Sequence, residues 1–303
     1  MNIAIIGARG CVGSALVKKL ITTTGHTIIA SYRPEEGVGV AHERVVWRLV
    51  DLGSDEGTER FLSAQNSIGP ADVLVYLVHS LDDRKFEAMD RAFADRTGRI
   101  ARKVGVKQII YLGGIIPKKE LLSQHLRSRQ ETGKRLGAHG VPLAEVRASI
   151  LLGPCSVSYR MVYWLSRRFP VVIMPRWSTT KCSPIALEDA VAMVAALIER
   201  RSDGHEIFEI GSETMGYDEL IMRSGAVVHG RQSRVIYVGW FPLAIIAWVV
   251  QTISGVPRHI AAALMGSLKN DSMIERNRFI EVVGRAPRPV DETLRELAQV
   301  MAK

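Results

Sequence analysis

The sequence predicts an α/β protein in which a parallel sheet is covered by helices on both faces, followed by a smaller, mostly helical lobe. Runs of valine, isoleucine and leucine alternate with helical segments through the first half of the chain. Strands that are apolar along their whole length are typical of sheets buried on both faces. This alternation breaks after residue 150, so we place a first domain at 1–150 and a second lobe at 151–303.

The order of elements follows from the same alternation. Helical patterns follow the first strand and recur over 83–103 and 120–139, whereas 185–211 holds a helix and a strand that we expect to pack back onto the first domain. Apolar helices are expected near 240–270, and Pro242 interrupts this apolar run, which makes it too short for a membrane span. The six strands of the first domain are predicted in MNIAIIG, HTIIASYR, RVVWRLVDL, DVLVYLVHS, KQIIYLGG and VPLAEVRASI.

The charge and the cysteine content of the chain indicate which kinds of ligand and which cellular environment to expect. The net charge is +9 and the isoelectric point about 9.6, which favours an anionic partner such as a phosphorylated cofactor. The basic residues are spread along the chain rather than clustered, which argues against nucleic acid. The three cysteines show no metal-binding or disulfide spacing, so we expect free thiols and a cytoplasmic protein.

The segment GARGCVG places three glycines between the first strand and the first helix. The first glycine permits a tight turn, the second lets the backbone approach a pyrophosphate, and the third lets the helix pack closely on the strand. Phosphates then lie at the helix N-terminus, where free N–H groups favour negative charge. The pattern predicts a Rossmann-type dinucleotide site at Gly7, Arg9, Gly10, Cys11, Val12 and Gly13.

The residues after the next strands indicate which dinucleotide binds. NAD sites usually carry an acid after the second strand, whereas Arg33 stands there, and Arg9 projects from the glycine loop. Two guanidinium groups can hold a 2′-phosphate, so NADP(H) is the predicted cofactor. The alternative is that Arg33 is solvated and that Glu35 or Glu36 binds the ribose of NAD. Further cofactor contacts are expected from Asp51, Leu52, Leu77, Val78 and His79.

Several motifs, in order, resemble the short-chain dehydrogenase/reductase superfamily in its atypical, NmrA-like branch: GARGCVG, DVLVYLVHS, GVKQIIYLGG, LSQHLRSR, GVPLAEVRASILLGP and PRWSTTKCSPIALEDA. The resemblance covers most of the chain. It implies a Rossmann fold, a nicotinamide cofactor and oxidoreductase chemistry. The branch includes antibiotic-tailoring ketoreductases, among them the angucyclinone ketoreductase of simocyclinone biosynthesis, which works without the usual Ser-Tyr-Lys set.

This chain departs from the catalytic residues that the resemblance implies. The fifth strand ends in Gly113 and Gly114 rather than a serine, and His125 and Arg129 stand at the spacing of the usual tyrosine and lysine. Arg129 can bind the cofactor but cannot release a proton at working pH, and its charge disfavours an imidazolium beside it. A neutral His125 can still donate a hydrogen bond to a carbonyl group. The alternative is that both belong to a solvated helix face.

The resemblance places substrate contacts in the C-terminal segments, which are apolar and rich in aromatic residues. Most of these residues must form the core of the smaller lobe. The remainder predict a roomy apolar cleft that suits a bulky hydrophobic ketone better than a sugar nucleotide. The predicted substrate contacts are Ser80, Gly113, Gly114, Tyr159, Trp164, Arg176, Trp177 and Trp240.

Three functions are compatible with the sequence. The first is an NADPH-dependent ketoreductase whose small-molecule substrate is a bulky hydrophobic metabolite, such as a polyketide or another polycyclic ketone, as the aromatic C-terminal lobe favours. The second is an NmrA-like NADP(H) sensor that regulates a partner protein, as loss of the Ser-Tyr-Lys set favours. The third is an oxidoreductase of a quinone or lipid with residues 238–265 resting on a membrane surface, which is not favoured. The oligomeric state is not predicted.

Overall fold

The computed structural model describes residues 1–64, 68–81, 83, 85–118, 121–175, 179–231, 234–239 and 243–302, with the backbone alone at 243–246. The strands are β1 Asn2–Ile6, β2 Thr27–Tyr32, β3 Val45–Leu49, β4 Val73–Tyr76, β5 Gln108–Gly114, β6 Leu143–Ala148, β7 Leu151–Leu152, β8 Val171–Pro175, β9 Lys181–Cys182, β10 Ile185–Ala186, β11 His205–Ile210, β12 Met215–Gly216 and β13 Arg234–Val238. The helices are α1 Cys11–Thr23, α2 Asp55–Ser63, α3 Phe86–Val104, α4 Gln124–Gly137, α5 Val157–Arg168, α6 Leu187–Glu199, α7 Tyr217–His229, α8 Leu243–Ser254, α9 Arg258–Ser267, α10 Phe279–Val283 and α11 Val290–Met301.

The central sheet has seven strands in the order β11-β6-β5-β4-β1-β2-β3, and every pairing between neighbours is parallel. Alternate residues of β1 face opposite layers: Ile3 and Ile5 pack with α1 and α6, whereas Ala4 and Ile6 pack with α2 and α3. This two-sided burial explains why the strands read as continuous apolar runs. The predicted α/β fold of the Rossmann type is confirmed.

The region 185–211 returns to the central sheet. β11 pairs with β6 as an edge strand, and α6 packs against α1. The rest of the second half forms its own core from α5, α7 and α11, together with short two-stranded sheets. A smaller cluster joins α5 to α8 and α9. α9 also packs against α4 of the first domain, so this helix lies between the two halves.

No helix among the described residues is long and apolar enough to cross a membrane. The apolar run predicted near 240–270 is divided into α8, of 12 residues, and α9, of 10 residues. Gly255, whose φ is +68°, and Pro257, the residue before α9, lie in the turn between the two helices. The chain reverses there because glycine adopts a positive φ without strain and proline stands at the helix start.

Candidate functional site

The carboxyl ends of the central strands open into three adjoining spaces. The first, the glycine-loop cleft, has a volume of about 630 Å³ and lies where the strand order reverses between β1 and β4. The second, the junction cleft, has about 370 Å³ and lies beyond β5 and β6. The third, the apolar cavity, has about 140 Å³ and lies under α5, α8 and α9. A reversal of strand order is where ligands bind in open parallel sheets.

The glycine loop has the geometry that phosphate binding requires. Gly7 has a φ of +90°, a conformation that residues with a β-carbon rarely adopt, and its N–H donates to the Ser31 hydroxyl at 2.8 Å. A β-carbon at Gly13 would lie 2.2 Å from the carbonyl oxygen of Gly7, so only glycine fits there. Gly10 is the N-cap residue of α1 and has no side chain to cap the helix. The first N–H groups of α1 are therefore left for an anionic ligand.

Two arginines and a glutamate meet at the end of β2. Arg33 contacts the Glu36 carboxylate at 2.8 Å and Glu35 at 3.3 Å, and an Nη atom of Arg9 donates to the backbone oxygen of Glu36 at 3.4 Å. Partial burial raises the pKa of Glu36, but the hydrogen bonds and charge of Arg33, with the charge of Arg9, outweigh it and lower the pKa. Glu36 is therefore an anion beside two cations in the wall of the glycine-loop cleft.

The remaining wall of the glycine-loop cleft comes from residues that follow β3 and β4. Asp51 accepts hydrogen bonds from the Gly53 N–H at 2.8 Å and the Ser54 hydroxyl at 2.6 Å, which lower its pKa and fix the turn into α2. The predicted contacts Leu52, Leu77, Val78, His79 and Ser80 also line this cleft, together with Gly7, Arg9, Gly10, Arg33 and Asp51.

Arg129 lies in the junction cleft and connects the ends of two strands. Its guanidinium donates to the carbonyl oxygen of Leu112 at 3.2 Å and to that of Val78 at 3.5 Å. It also lies 5.6 Å from the centre of the Tyr111 ring. A guanidinium has five N–H donors, so these two contacts leave others for a ligand. Val12, Gly113, Gly114 and His125 line the same cleft.

His125 stands where the junction cleft meets the apolar cavity and lines both. It is the second residue of α4, and the Ser123 hydroxyl caps that helix by accepting from the Leu126 N–H at 3.3 Å. The Nδ1 atom of His125 is 3.1 Å from the Ser267 hydroxyl, which is also 3.0 Å from the Ser123 hydroxyl. The end of α9 therefore holds the ring in place.

His79 packs against His125 and is itself bonded to a buried carboxylate, that of Asp90. The rings of His79 and His125 have centres 4.9 Å apart. His79 Nδ1 is 2.7 Å from the Asp90 carboxylate, which also accepts from the Ser80 N–H and the Ser128 hydroxyl, both at 2.9 Å. Burial raises the pKa of Asp90, but its hydrogen bonds, that from His79 above all, lower it to about 2. Asp90 is thus a fixed negative charge.

His125 is neutral at physiological pH. Burial is the largest cause, and the neighbouring His79 and the charge of Arg129 add to it, so that its pKa lies well below 6.5 even though Asp90 acts in the opposite direction. Its position in the first turn of α4 has the same effect, because the positive end of the helix dipole disfavours a cation. A neutral ring can donate one N–H hydrogen bond but is a poor proton donor.

This neutrality predicts how stability depends on pH. Because the folded pKa of His125 lies below 6.5, the unfolded chain binds a proton between those two values and the folded chain does not. The free energy of unfolding therefore falls as the pH drops below about 6.5, by up to ~1.4 kcal/mol per pH unit. We expect His125→Gln to reduce this slope in urea unfolding at pH 7.5, 6.5 and 5.5. The exposed-site control His259→Gln should retain it, and an unchanged slope in His125→Gln would contradict the prediction.

Tyr111 leaves no room for a side chain at position 113, where the sequence resemblance implies a serine. Tyr111 is fully buried, and its hydroxyl donates to the backbone oxygen of Arg129 at 3.1 Å. A β-carbon at Gly113 would lie 2.9 Å from the Tyr111 ring. The end of β5 therefore presents bare backbone to the junction cleft, next to Arg129.

The apolar cavity has few polar groups in its wall. Aliphatic side chains from α5, α7, α8, α9 and β8 form most of it, and His125 lies on the side that faces the junction cleft. The two spaces also share Gly114, Ala148, Ser149, Ser158 and Leu264 in their walls, so they adjoin directly. The aliphatic lining consists of Ile150, Met161, Val162, Leu165, Ile173, Met174, Ile221, Val250, Leu264, Met265 and Leu268, among others.

Tyr159 and Trp164, the two predicted aromatic substrate contacts among the described residues, do not line this cavity. Tyr159 is 1% exposed and packs in the core of the second lobe. Trp164 packs against the same core, with its ring centre 5.5 Å from that of Tyr163 and Arg167 over its face. Both lie on α5, but the aliphatic residues of that helix face the cavity instead. Arg176, Trp177 and Trp240 lie outside the described residues.

The expectation of free cysteines is wrong for two of the three. Cys11, the first residue of α1, forms a disulfide with Cys155, which lies just before α5, with Cα atoms 5.4 Å apart. The two are separated by 144 residues, so no local spacing indicates the bond. They meet because the glycine loop and the turn after β7 both lie at the carboxyl edge of the sheet. The third cysteine, Cys182, is buried and free.

Several site residues were not predicted. Asp90 could have been found, because it interrupts the buried stripe of α3 between Phe86 and Ala94 at four-residue spacing. An acid in that position must be paired. Ser149 and Ser267 carry no such signal, since isolated serines near helix ends and strand ends are common.

No protein-family model matches the chain, and no curated protein sequence matches it. Many solved structures are similar in fold. One is a nucleoside-diphosphate-sugar epimerase from Staphylococcus aureus, 17% identical with a TM-score of 0.77, covering 97% of this chain and 100% of that one. Another is an NADPH-dependent quinone oxidoreductase from Escherichia coli complexed with NADPH, 19% identical with a TM-score of 0.74, covering 97% and 99%. A third is a UDP-glucose 4-epimerase from Thermotoga maritima, 14% identical with a TM-score of 0.71, covering 100% and 99%. At these identities the likeness shows the fold alone.

Proposed function

We propose that this protein is an NADPH-dependent oxidoreductase that reduces a ketone on a bulky hydrophobic molecule. The observation that carries the proposal is the position of His125, where a cleft behind a glycine loop meets an apolar cavity. A bound nicotinamide dinucleotide would supply hydride. The chain itself would hold the carbonyl group at His125 and exclude water with the aliphatic wall.

The residues of the glycine-loop cleft fit such a cofactor. Gly7, Gly10 and Gly13 leave the space and the free N–H groups that a pyrophosphate needs. Arg129 is placed to contact the nicotinamide ribose with the donors that Leu112 and Val78 do not use. The structures similar in fold include one complexed with NADPH and one complexed with UDP-glucose and NAD, which supports a dinucleotide site here.

Discrimination between NADPH and NADH depends on the balance of Arg9, Arg33 and Glu36. We expect Arg33→Ser to raise the Kd for NADPH by about 10- to 100-fold and to leave the Kd for NADH within about twofold, because a charge-assisted contact to the 2′-phosphate is lost. Glu36→Gln is the matched control and should strengthen NADPH binding, because it removes a negative charge beside that phosphate. Nucleotide fluorescence titration gives both values. An unchanged NADPH affinity in Arg33→Ser, with weaker NADH binding in Glu36→Gln, would instead identify an NAD site.

The chemical role that we propose for His125 is to polarise the carbonyl group, with the final proton taken from water or from the substrate. A neutral imidazole donates a hydrogen bond but does not readily release its proton, and Arg129 cannot. The low polarity of the aliphatic wall beside the oxygen strengthens this hydrogen bond. His79 and Asp90 keep the ring in position.

Turnover tests this proposal. NADPH oxidation is followed at 340 nm with apolar ketones of increasing size, such as 1-tetralone, 2-acetonaphthone and anthrone. We expect His125→Phe to lower kcat/KM by about tenfold without changing the Kd for NADPH, because one hydrogen bond to the oxygen is lost while hydride transfer remains. Leu165→Trp, which fills the cavity, should abolish ketone reduction and also leave NADPH binding unchanged. A complete loss of turnover in His125→Phe would show that the ring supplies the proton.

The second candidate function is a non-catalytic NADP(H) sensor of the NmrA type. The replacement of the Ser-Tyr-Lys set by Gly113, His125 and Arg129 favours it. A sensor has no need of an apolar cavity beside the nicotinamide position, which favours the enzyme. Tight binding of NADP⁺, with no oxidation of NADPH by any ketone of the series, would favour the sensor. A quinone- or lipid-linked oxidoreductase at a membrane surface is the third proposal, and co-sedimentation with anionic vesicles tests it.

A further inference from the structure

Three hydroxyl groups meet in the wall of the apolar cavity, apart from the His125 site. Ser149 follows β6, Tyr217 begins α7, and Ser272 lies between α9 and α10. The Ser272 hydroxyl is 2.7 Å from the Ser149 hydroxyl and 2.7 Å from the Tyr217 phenol. Segments that are distant in sequence thus bring their hydroxyl groups to one point, which we name the hydroxyl cluster.

The backbone holds the hydroxyl cluster in place. The Ser272 N–H donates to the carbonyl oxygen of Lys181 at 2.8 Å, and the Ser272 carbonyl oxygen accepts from the Ser183 N–H at 3.2 Å. Tyr217 and Ser272 are only 5% and 7% exposed, whereas Ser149 is less buried. A ligand therefore does not need to order these groups when it binds, which lowers the entropy cost of binding.

The cluster has more hydrogen-bonding capacity than its members use among themselves. Each hydroxyl group has one hydrogen, so three hydrogens are present and the two hydrogen bonds take two of them. Either hydroxyl group of each pair can be the donor. A phenol is the stronger donor, so we assign Tyr217 as the donor to Ser272, and Ser272, which keeps its own hydrogen, as the donor to Ser149. This order leaves the hydrogen of Ser149 for a ligand and strengthens it as a donor, because hydrogen bonds in a chain polarise one another.

Ser149 is the member of the cluster that faces the reaction site. It lines both the apolar cavity and the junction cleft, whereas Tyr217 and Ser272 line the cavity alone. Burial raises the pKa of Tyr217 above its ordinary value, although Ser272 and Ser149 act in the opposite direction. Loss of a proton along the chain would leave a buried phenolate, so the cluster is suited to donate a hydrogen bond and not a proton.

We infer that Ser149 is a substrate-binding residue that donates a hydrogen bond to a second oxygen on the hydrophobic ketone, and that Ser272 and Tyr217 position it. The inference rests on the proposed function and defines its substrate class as an apolar fused-ring ketone that carries a further hydroxyl or carbonyl oxygen. Most of the surrounding wall is aliphatic. An oxygen placed against that wall would lose its hydrogen bonds to water without replacement, which is unfavourable. The cluster therefore also selects where the second oxygen lies on the ring.

Matched ketones test the inference by binding as well as by turnover. Calorimetric titrations of the full chain, with and without NADP⁺, compare 1-tetralone with the four isomeric derivatives that carry one hydroxyl group on its aromatic ring. We expect one isomer to bind about tenfold more tightly than 1-tetralone. Ser149→Ala and Tyr217→Phe should reduce this preference to less than twofold and leave the affinity for 1-tetralone unchanged. Ser149→Thr, which keeps the hydroxyl group, should retain the preference.

Ser158→Ala is the matched control, because Ser158 lines the same two spaces but is not part of the hydroxyl cluster. It should keep the preference for the favoured isomer. Equal affinity for all five ketones, binding of none of them, or loss of the preference in Ser158→Ala as well would overturn the inference. Failure of the inference and failure of the proposed function can be told apart: a binding preference that depends on Ser149 without NADPH oxidation would reject the reductase alone. Ketone reduction without any preference would reject the hydroxyl cluster alone.

Discussion

Gly10→Val will bind NADPH at least 100-fold more weakly than the wild-type chain while it remains folded. A β-carbon at Gly10 meets the carbonyl oxygen of Gly7 at 3.2 Å, and position 10 is exposed, so the loop can accommodate it. The branched side chain then occupies the space through which a pyrophosphate reaches the N–H groups of α1. Fluorescence titration measures the loss, and circular dichroism with the melting temperature shows whether the fold is kept.

Substitutions at two further glycines provide a more severe variant and a control for this result. Gly13→Ala places a β-carbon 2.2 Å from the carbonyl oxygen of Gly7, so we expect it to lower the melting temperature as well as the affinity for NADPH. Gly25→Ala is the control, since nothing lies within 4 Å of a β-carbon there. It should bind NADPH as the wild type does. Wild-type affinity in a folded Gly10→Val would mean that the glycine loop does not hold the cofactor.

Cys155→Ser will lower the free energy of unfolding by about 2–5 kcal/mol, because a disulfide that closes a long loop restricts the unfolded chain strongly. The bond to Cys11 spans 144 residues. For a chain of 303 residues the loss corresponds to a fall in melting temperature of about 3–8 °C. Thermal unfolding with and without dithiothreitol measures it.

The reductant itself supplies the control for the disulfide. Dithiothreitol should lower the melting temperature of the wild type towards that of Cys155→Ser and should have no effect on Cys155→Ser. Because Cys182 is buried and free in both proteins, it cancels from the comparison. A wild-type melting temperature that does not respond to the reductant, measured after full reduction is verified by thiol counting, would contradict the prediction.

The sequence was informative wherever a short range of residues determines the structure. The strand at Asn2–Ile6 was visible because both of its faces are buried, which makes the four residues after Asn2 apolar. The turn at Gly7 was visible because a positive φ requires glycine. The positions of His125 and Arg129 on one face of α4 followed from helical spacing alone. Each of these depends on near neighbours in the chain.

Features that depend on distant segments were not visible. The hydroxyl cluster joins residues 149, 217 and 272, and the disulfide joins residues 11 and 155. Neither shows a local pattern, since serines and single cysteines occur in many settings. The aromatic residues Tyr159 and Trp164 could not be assigned to a face of their helix for a related reason. Large aromatic side chains fill a protein core as readily as they line a cavity, and these two pack in the core of the second half of the chain.

The packing of Tyr111 against Gly113 has a consequence for how this site could change over evolutionary time. A serine cannot be introduced at position 113 while Tyr111 remains, because the new β-carbon would meet the buried ring at 2.9 Å. Tyr111 in turn donates its hydroxyl hydrogen to the backbone of Arg129 and lies against that guanidinium. Position 111 must therefore change before position 113 can hold a serine, and that change takes a neighbour from Arg129. The packing of the sheet thus keeps position 113 a glycine, independently of the chemistry at His125.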